Sequence, residues 1–126
     1  MSGNKFFLDT NIILYLLDGD QTLATFLYEK QLYISFITEL ELLGFDGITK
    51  KEEVVVRDFL QQCKIFPINT SIKEETIRIQ RKYHTKLPDS IIIATALQLD
   101  LPLVSADNTF TKVEELNFIH YKHNQV

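Results

Sequence analysis

The chain has 126 residues, of which 45% are apolar and 24% charged, and its net charge is −4. These proportions exclude a disordered or collagen-like chain, and the length predicts one domain over residues 1–126. With a pI near 5.3 the chain lacks the basic footprint of a general nucleic-acid binder, so an anionic ligand must be met by a local patch or through bound cations.

Residues 5–8, "KFFL", form a short apolar run that predicts a strand, and residues 12–17 open a helix that "DGD" at 18–20 breaks. An amphipathic helix follows over 23–30, then a second strand, "LYIS", over 32–35. A helix is expected over 36–45, with a turn at Asp46 and Gly47. A third helical pattern covers 50–63, where Val54, Val55, Phe59 and Leu60 recur at turn spacing. Residues 65–68 read as a strand, and Pro67 assigns it to a sheet edge. A polar amphipathic helix over 71–84 precedes an apolar one over 90–99. "SIIIATALQL" is apolar on nearly every side, which predicts a central helix packed between the sheet and its neighbours. Strands over 103–105 and 118–121, around a helix over 109–116, complete five strands. Alternating strands and helices predict an α/β domain with a mostly parallel sheet covered on both faces.

The single Cys63 cannot form an internal disulfide and reads as a small core thiol. No early basic-then-apolar segment resembles a secretion signal, and no apolar run approaches the roughly 18 residues of a membrane span. A cytoplasmic protein without a membrane partner is the expectation.

Four acids are attached to apolar elements instead of polar surface runs. Asp9 interrupts "KFFLDTNIILYLL" between strand and helix, where it fits an Asx turn or a helix cap as well as a ligand. Ile37, Leu40, Glu41 and Gly44 follow one helix stripe, of which Glu41 is the only charged member, while Glu39 is expected to face solvent. Thr38 and Glu41 also have capping-box spacing, although Ser35 at the strand end is the better cap. Asp89 in "KLPDSIIIATAL" matches an ordinary helix start. Asp107 in "LPLVSADNTF" matches a turn or cap. Each has a bland reading by itself. In an open parallel sheet, however, all four fall near the carboxyl edge where ligands bind. Four crowded carboxylates repel, and a divalent cation removes that penalty. All-oxygen ligands suit Mg²⁺ or Mn²⁺ better than zinc, and such metals serve phosphodiester chemistry.

"LDTNI", the "S-x-I-T-x-x-E-L" segment carrying Glu41, "LPDSIIIATAL" and "LPLVSADNTF", in this order, make the chain resemble the PIN domains, and within them the VapC-type toxins of bacterial toxin–antitoxin pairs. The resemblance implies a three-layer α/β/α fold with a five-stranded sheet. It also implies a metal-dependent endoribonuclease acting on RNA and restrained by a cognate antitoxin, in a homodimer or a larger assembly. Asp9, Glu41, Asp89 and Asp107 would be both catalytic and metal-binding. Asn11 would support the acids by hydrogen bonding, and Ser105 would line the pocket. Ala106 departs from the basic or amide residue that many members carry beside the last acid. The basic window "RIQRKYHTK", with Arg78, Arg81, Lys82 and Lys86, runs into Asp89; it is either a phosphate contact or a solvated helix face. His120 and His123 are set aside as a metal pair because they lie near a polar tail.

Other classes fit less well. A receiver domain needs a phosphoacceptor Asp at the end of its third strand, and "IFPIN" has none. The four glycines make neither a dinucleotide fingerprint nor a P-loop. A PIN nuclease of housekeeping RNA processing or of DNA, without an antitoxin, would carry the same acids. A non-catalytic PIN scaffold would not need all four.

Overall fold

The computed structural model describes residues 3–123. Five strands, β1 (Lys5–Leu8), β2 (Gln31–Ser35), β3 (Cys63–Phe66), β4 (Leu103–Ser105) and β5 (Phe118–His120), form one sheet in the order β3-β2-β1-β4-β5. Every pairing is parallel, so the sheet is wholly and not just mostly parallel. The helices are α1 (Thr10–Leu17), α2 (Gln21–Leu27), α3 (Phe36–Leu43), α4 (Lys50–Leu60), α5 (Thr70–Tyr83) and α6 (Leu87–Leu99), with a 3-10 helix at Asn108–Lys112. No helix among the described residues is long and apolar enough to cross a membrane.

The twofold periodicity of β1 divides the core. Phe6 and Leu8 point to one face, where α1, α2, α3 and α4 supply Ile12, Ile13, Leu23, Leu42 and Val56. Phe7 points to the other face and meets Ile79 of α5, Ile92 and Ile93 of α6, and Phe110 of the 3-10 helix. The result is three layers, α/β/α. As its composition predicts, α6 is enveloped: Ser90 through Ala96 are buried without interruption.

Three spans in particular differ from the sequence expectation. The helix expected over 50–63 stops at Leu60, because Cys63 already pairs with Leu32 in β2. β3 is indeed an edge strand, and it ends before Pro67, which has no N–H for the ladder. The expected helix over 109–116 is replaced by the 3-10 helix at Asn108–Lys112. Val113 N donates to Phe110 O at 3.1 Å and Leu116 N to Val113 O at 3.1 Å, so three-residue turns lead the chain down to β5. Burial raises the Cys63 thiol to about 11, which leaves it unreactive. His123 stacks on Tyr15 at 3.9 Å and its Nδ1 lies 2.9 Å from Asp20 Oδ2, while His120 Nε2 lies 3.3 Å from Ala106 O. The two imidazoles therefore have separate structural partners.

Because Ile93 is fully buried between α6 and the sheet, Ile93→Ala should lower stability by about 2–5 kcal/mol. Leu87, at the exposed start of the same helix, should tolerate alanine with little loss. Urea denaturation of the two variants measures the difference.

Candidate active site

The strand order reverses between β1 and β4, and the crevice beyond their carboxyl ends is where open α/β sheets bind ligands. Parallel pairing sets Leu8 beside Val104, so both strands finish at the same height. Asp9 follows β1 and its N–H donates to Val104 O at 3.0 Å. Asp9 also caps α1, with Oδ1 accepting from Thr10 N at 2.8 Å. The cap reading is therefore correct, but it accounts for one oxygen only. Oδ2 turns across the crevice and accepts from Ser105 Oγ at 2.6 Å and from Asn11 Nδ2 at 3.3 Å.

Asn11 and Ser105 are linked further. Asn11 Oδ1 accepts from Ala106 N at 3.1 Å, and Ser105 Oγ accepts from Asp107 N at 3.0 Å. The segment after β4 is thus bound to the start of α1. Ala106, which lacks a polar side chain, contributes to this link through its backbone.

Burial raises the Asp9 carboxyl to about 6, although Ser105 and Thr10 hold it down and the charges of Asp89 and Glu41 push it higher. Asp89 sits in the first turn of α6, next to Pro88, and the N-cap residue Lys86 makes no side-chain capping bond there. Its carboxyl is also raised, first by burial and then by Asp107 and Glu41, while Lys86 and Lys112 oppose the shift. Asp107 caps the 3-10 helix, with Oδ1 accepting from Thr109 N at 2.9 Å and from Thr109 Oγ1 at 2.8 Å. The charges of Asp89 and Glu41 thus act on Asp9, and those of Asp107 and Glu41 act on Asp89.

Glu41 reaches this crevice by a different helix phase from the one its spacing predicts. The buried residues of α3 are Thr38 and Leu42, Leu40 is 58% exposed, and Glu41 itself is exposed while Glu39 is half-buried. Ser35 caps α3 through Ile37 N, so the Thr38–Glu41 capping box does not form. Glu41 instead stands at the rim, where Thr10 Oγ1 donates to its Oε1 at 2.5 Å and lies 3.1 Å from Thr38 Oγ1. Thr10 is a residue that sequence reasoning missed; its place inside "DTN" was the available signal.

Among the described residues, no three acids or imidazoles lie close enough together to clamp an ion unaided. The donor set nonetheless fits Mg²⁺ or Mn²⁺. It is all oxygen, and such ions commonly use one or two protein carboxylates, completing their shell with water and substrate phosphate.

The basic window divides. Arg78 donates to Glu75 at 2.9 Å and to Glu115 at 2.8 Å, and Lys82 Nζ lies 3.3 Å from the same Glu115. Tyr83 OH donates to Glu115 at 2.7 Å, and these donors, Arg78 foremost, hold the Glu115 carboxyl down at about 2. Arg78 and Lys82 are therefore paired with carboxylates in a surface ion cluster. Arg81 is exposed and has no ion-pair partner among the described residues.

On the opposite side of Glu41 a cleft of about 550 Å³ opens, lined by Thr10, Leu14, Glu41, Phe45, Val55 and Val56 among others. Leu14, Phe45 and Val55 are 49%, 64% and 47% exposed, so its wall carries uncovered apolar surface, although Asp18, Lys51 and Glu52 also line it.

The PIN domain family profile matches residues 6–116. Among solved structures, a chain of a toxin–antitoxin complex from Klebsiella pneumoniae is 31% identical, with 87% of this chain and 93% of that chain covered and a TM-score of 0.77. FitAcB from Neisseria gonorrhoeae is 24% identical, covering 91% and 96%, with a TM-score of 0.74. VapBC2 from Rickettsia felis, bound to a DNA fragment from its promoter, is 17% identical, covering 92% and 98%, with a TM-score of 0.78. The last two likenesses describe the fold. No curated protein matches the sequence significantly.

A buried carboxyl with a raised pKa makes a signed prediction. Between its ordinary value of 3.8 and about 6 the folded protein holds the Asp9 proton more tightly than the unfolded chain, so stability falls as pH rises through that window. The full cost, reached above it, is about 3 kcal/mol. In metal-free buffer, the stability of Asp9→Asn relative to the parent should improve by about 2 kcal/mol between pH 4.5 and 7.5. Urea melts of both proteins at the two pH values measure this. A relative stability independent of pH would mean that Asp9 is an ordinary solvated cap.

Proposed function

The chain belongs to the PIN-domain family, and we propose that residues 1–126 form a single divalent-metal-dependent endoribonuclease domain, the toxin of a toxin–antitoxin pair. The observation that carries the reading is the state of Asp9 at the β1/β4 switch point, where burial and the charges of Asp89 and Glu41 raise its carboxyl. There Asp9 is buried without a cationic partner and feels the charges of its neighbours. A structural carboxylate would be stabilised by pairing, whereas this one is left at a disadvantage that a bound cation would relieve.

Asp9, Glu41, Asp89 and Asp107 would hold Mg²⁺ or Mn²⁺. Such an ion stabilises charge on a phosphodiester and makes a nearby water acidic enough to attack it. The remaining tasks belong to the chain. Ser105 and Asn11 fix the Asp9 carboxylate by hydrogen bonds at 2.6 and 3.3 Å, so that it does not rotate away from the crevice. Thr10 does the same for Glu41 at the rim. Asp107 keeps Oδ2 free while Oδ1 caps the 3-10 helix.

The apolar cleft beside Glu41 supports the partner half of the reading. An antitoxin segment with an apolar face would cover Leu14, Phe45 and Val55 and end at the acids, so occupying the cleft and blocking the site coincide. A homodimer or larger toxin–antitoxin assembly is part of the same proposal.

Cleavage of total RNA in Mg²⁺, mapped by sequencing of the new ends, tests the activity. Glu41→Gln should reduce the rate by at least about a hundredfold, the scale of losing a group that positions the reacting centre. Glu39→Gln should stay near the parent rate. Equal loss from both would overturn the place given to Glu41. For the partner, co-expression with the product of a neighbouring gene should protect backbone amides of α1 and α4 from hydrogen exchange. Inhibition without that protection would put the partner on another surface.

A further inference from the structure

Glu115 neutralises two of the basic residues that precede Asp89 in the sequence, Arg78 and Lys82. It gathers Arg78, Lys82 and the Tyr83 hydroxyl into one cluster on the outer surface of α5. Two lysines remain at the crevice. Lys86 is the residue preceding the first turn of α6, the turn that carries Asp89, and its side chain makes no capping bond. Lys112 is the last residue of the 3-10 helix that Asp107 caps. The two therefore stand on the elements that present Asp89 and Asp107. Both are exposed, and among the described residues neither has a carboxylate within ion-pair distance.

This gives the crevice two unlike shoulders. On the α1, α3 and α4 side it meets a mainly apolar wall, with Lys51 the one cation among its lining residues and the carboxylates of Asp18 and Glu52 beside it in that lining. On the α6 side it meets two cations without fixed partners. A polyanion approaching a site lined by four carboxylates is repelled unless cations flank its path, and the chain as a whole, at −4, supplies no attraction.

We propose that Lys86 and Lys112 are the positioning residues that receive the substrate backbone, each engaging a phosphate next to the scissile one. The inference rests on the nuclease reading above and deepens it by fixing the direction from which the strand enters. Lysine suits this task because a point charge on a flexible stem follows a mobile single strand without demanding one phosphate geometry.

The test uses the full-length protein and a labelled single-stranded RNA oligonucleotide, with KM, kcat and binding measured across a salt series. Lys86→Ala with Lys112→Ala should raise KM about tenfold with kcat largely retained, since the contacts serve ground state and transition state alike. The slope of log affinity against log salt should shrink by about 1.4, or about 0.7 for each lysine alone. Lys64→Ala with Lys73→Ala removes the same charge from exposed positions elsewhere and should leave the slope unchanged. An unchanged slope and KM in the Lys86/Lys112 variant, while the parent cleaves RNA, would overturn this assignment and leave the nuclease reading standing. Equal effects from both pairs would reduce the role to net charge and also overturn it. A parent protein that neither binds nor cleaves RNA in Mg²⁺ would overturn both.

Discussion

The hydrogen bond from Ser105 Oγ to Asp9 Oδ2, 2.6 Å across the gap between β4 and β1, is the constraint from which the rest of the site follows. It exists because two parallel strands end level, with Leu8 beside Val104, at the one place where the strand order reverses. A slip of one residue in that pairing would send Phe7 to the wrong layer and Asp9 to the wrong side. The core and the carboxylate are thus specified by the same register. Fully buried Phe7 and Leu8 make that register hard to change, so the acid at their end is held by the most stable part of the molecule.

What this arrangement achieves is a carboxylate kept in an unfavourable place. Its neighbours Asp89 and Glu41 raise its pKa instead of compensating its charge, and the hydrogen bonds from Ser105 and Thr10 only partly offset the burial. The cations that could have neutralised it are elsewhere: Arg78 and Lys82 are bound to Glu115 and Glu75, more than a helix turn from the crevice in sequence and on the outer surface of α5. The proposed metal, the proposed partner and the proposed phosphate contacts then divide the crevice among themselves. In that proposal Asp9 would hold its floor and Glu41 its rim, with the mainly apolar wall of α1 and α4 to one side and Lys86 and Lys112 to the other.

Much of this was legible because it is local. The twofold alternation in "KFFL", the enveloped character of "SIIIATAL" and the Pro67 edge signal are written in neighbouring residues, and the sheet carries all three. The acids were legible as a set because each is attached to an apolar element. The rest required contacts between distant residues. Glu115 lies 37 positions from Arg78, and no pattern around the basic window shows that it claims those side chains. The phase of α3 misled for a related reason: a stripe drawn through Glu41 assumes that functional residues share the buried face. A site that admits solvent and substrate is open, so its glutamate belongs to the rim between Thr38 and the exposed Leu40. Thr10 and Lys112 escaped notice because their importance comes from Glu41 and Asp89, their spatial neighbours.

The central claim is that the acids around Asp9 share a divalent cation, and the most direct measurement of it needs no substrate. Thermal or urea melts of the parent protein in rising Mg²⁺, at constant ionic strength and neutral pH, should show stabilisation that saturates. At a hundredfold excess over the dissociation constant the gain should be about 3 kcal/mol, because an ion that binds only the folded state acts by mass action. Asp9→Asn keeps the cap on α1, since asparagine caps as well as aspartate, but should lose most of that gain. A parent protein indifferent to both Mg²⁺ and Mn²⁺, or an Asp9→Asn protein with the full metal-dependent shift, would contradict the account.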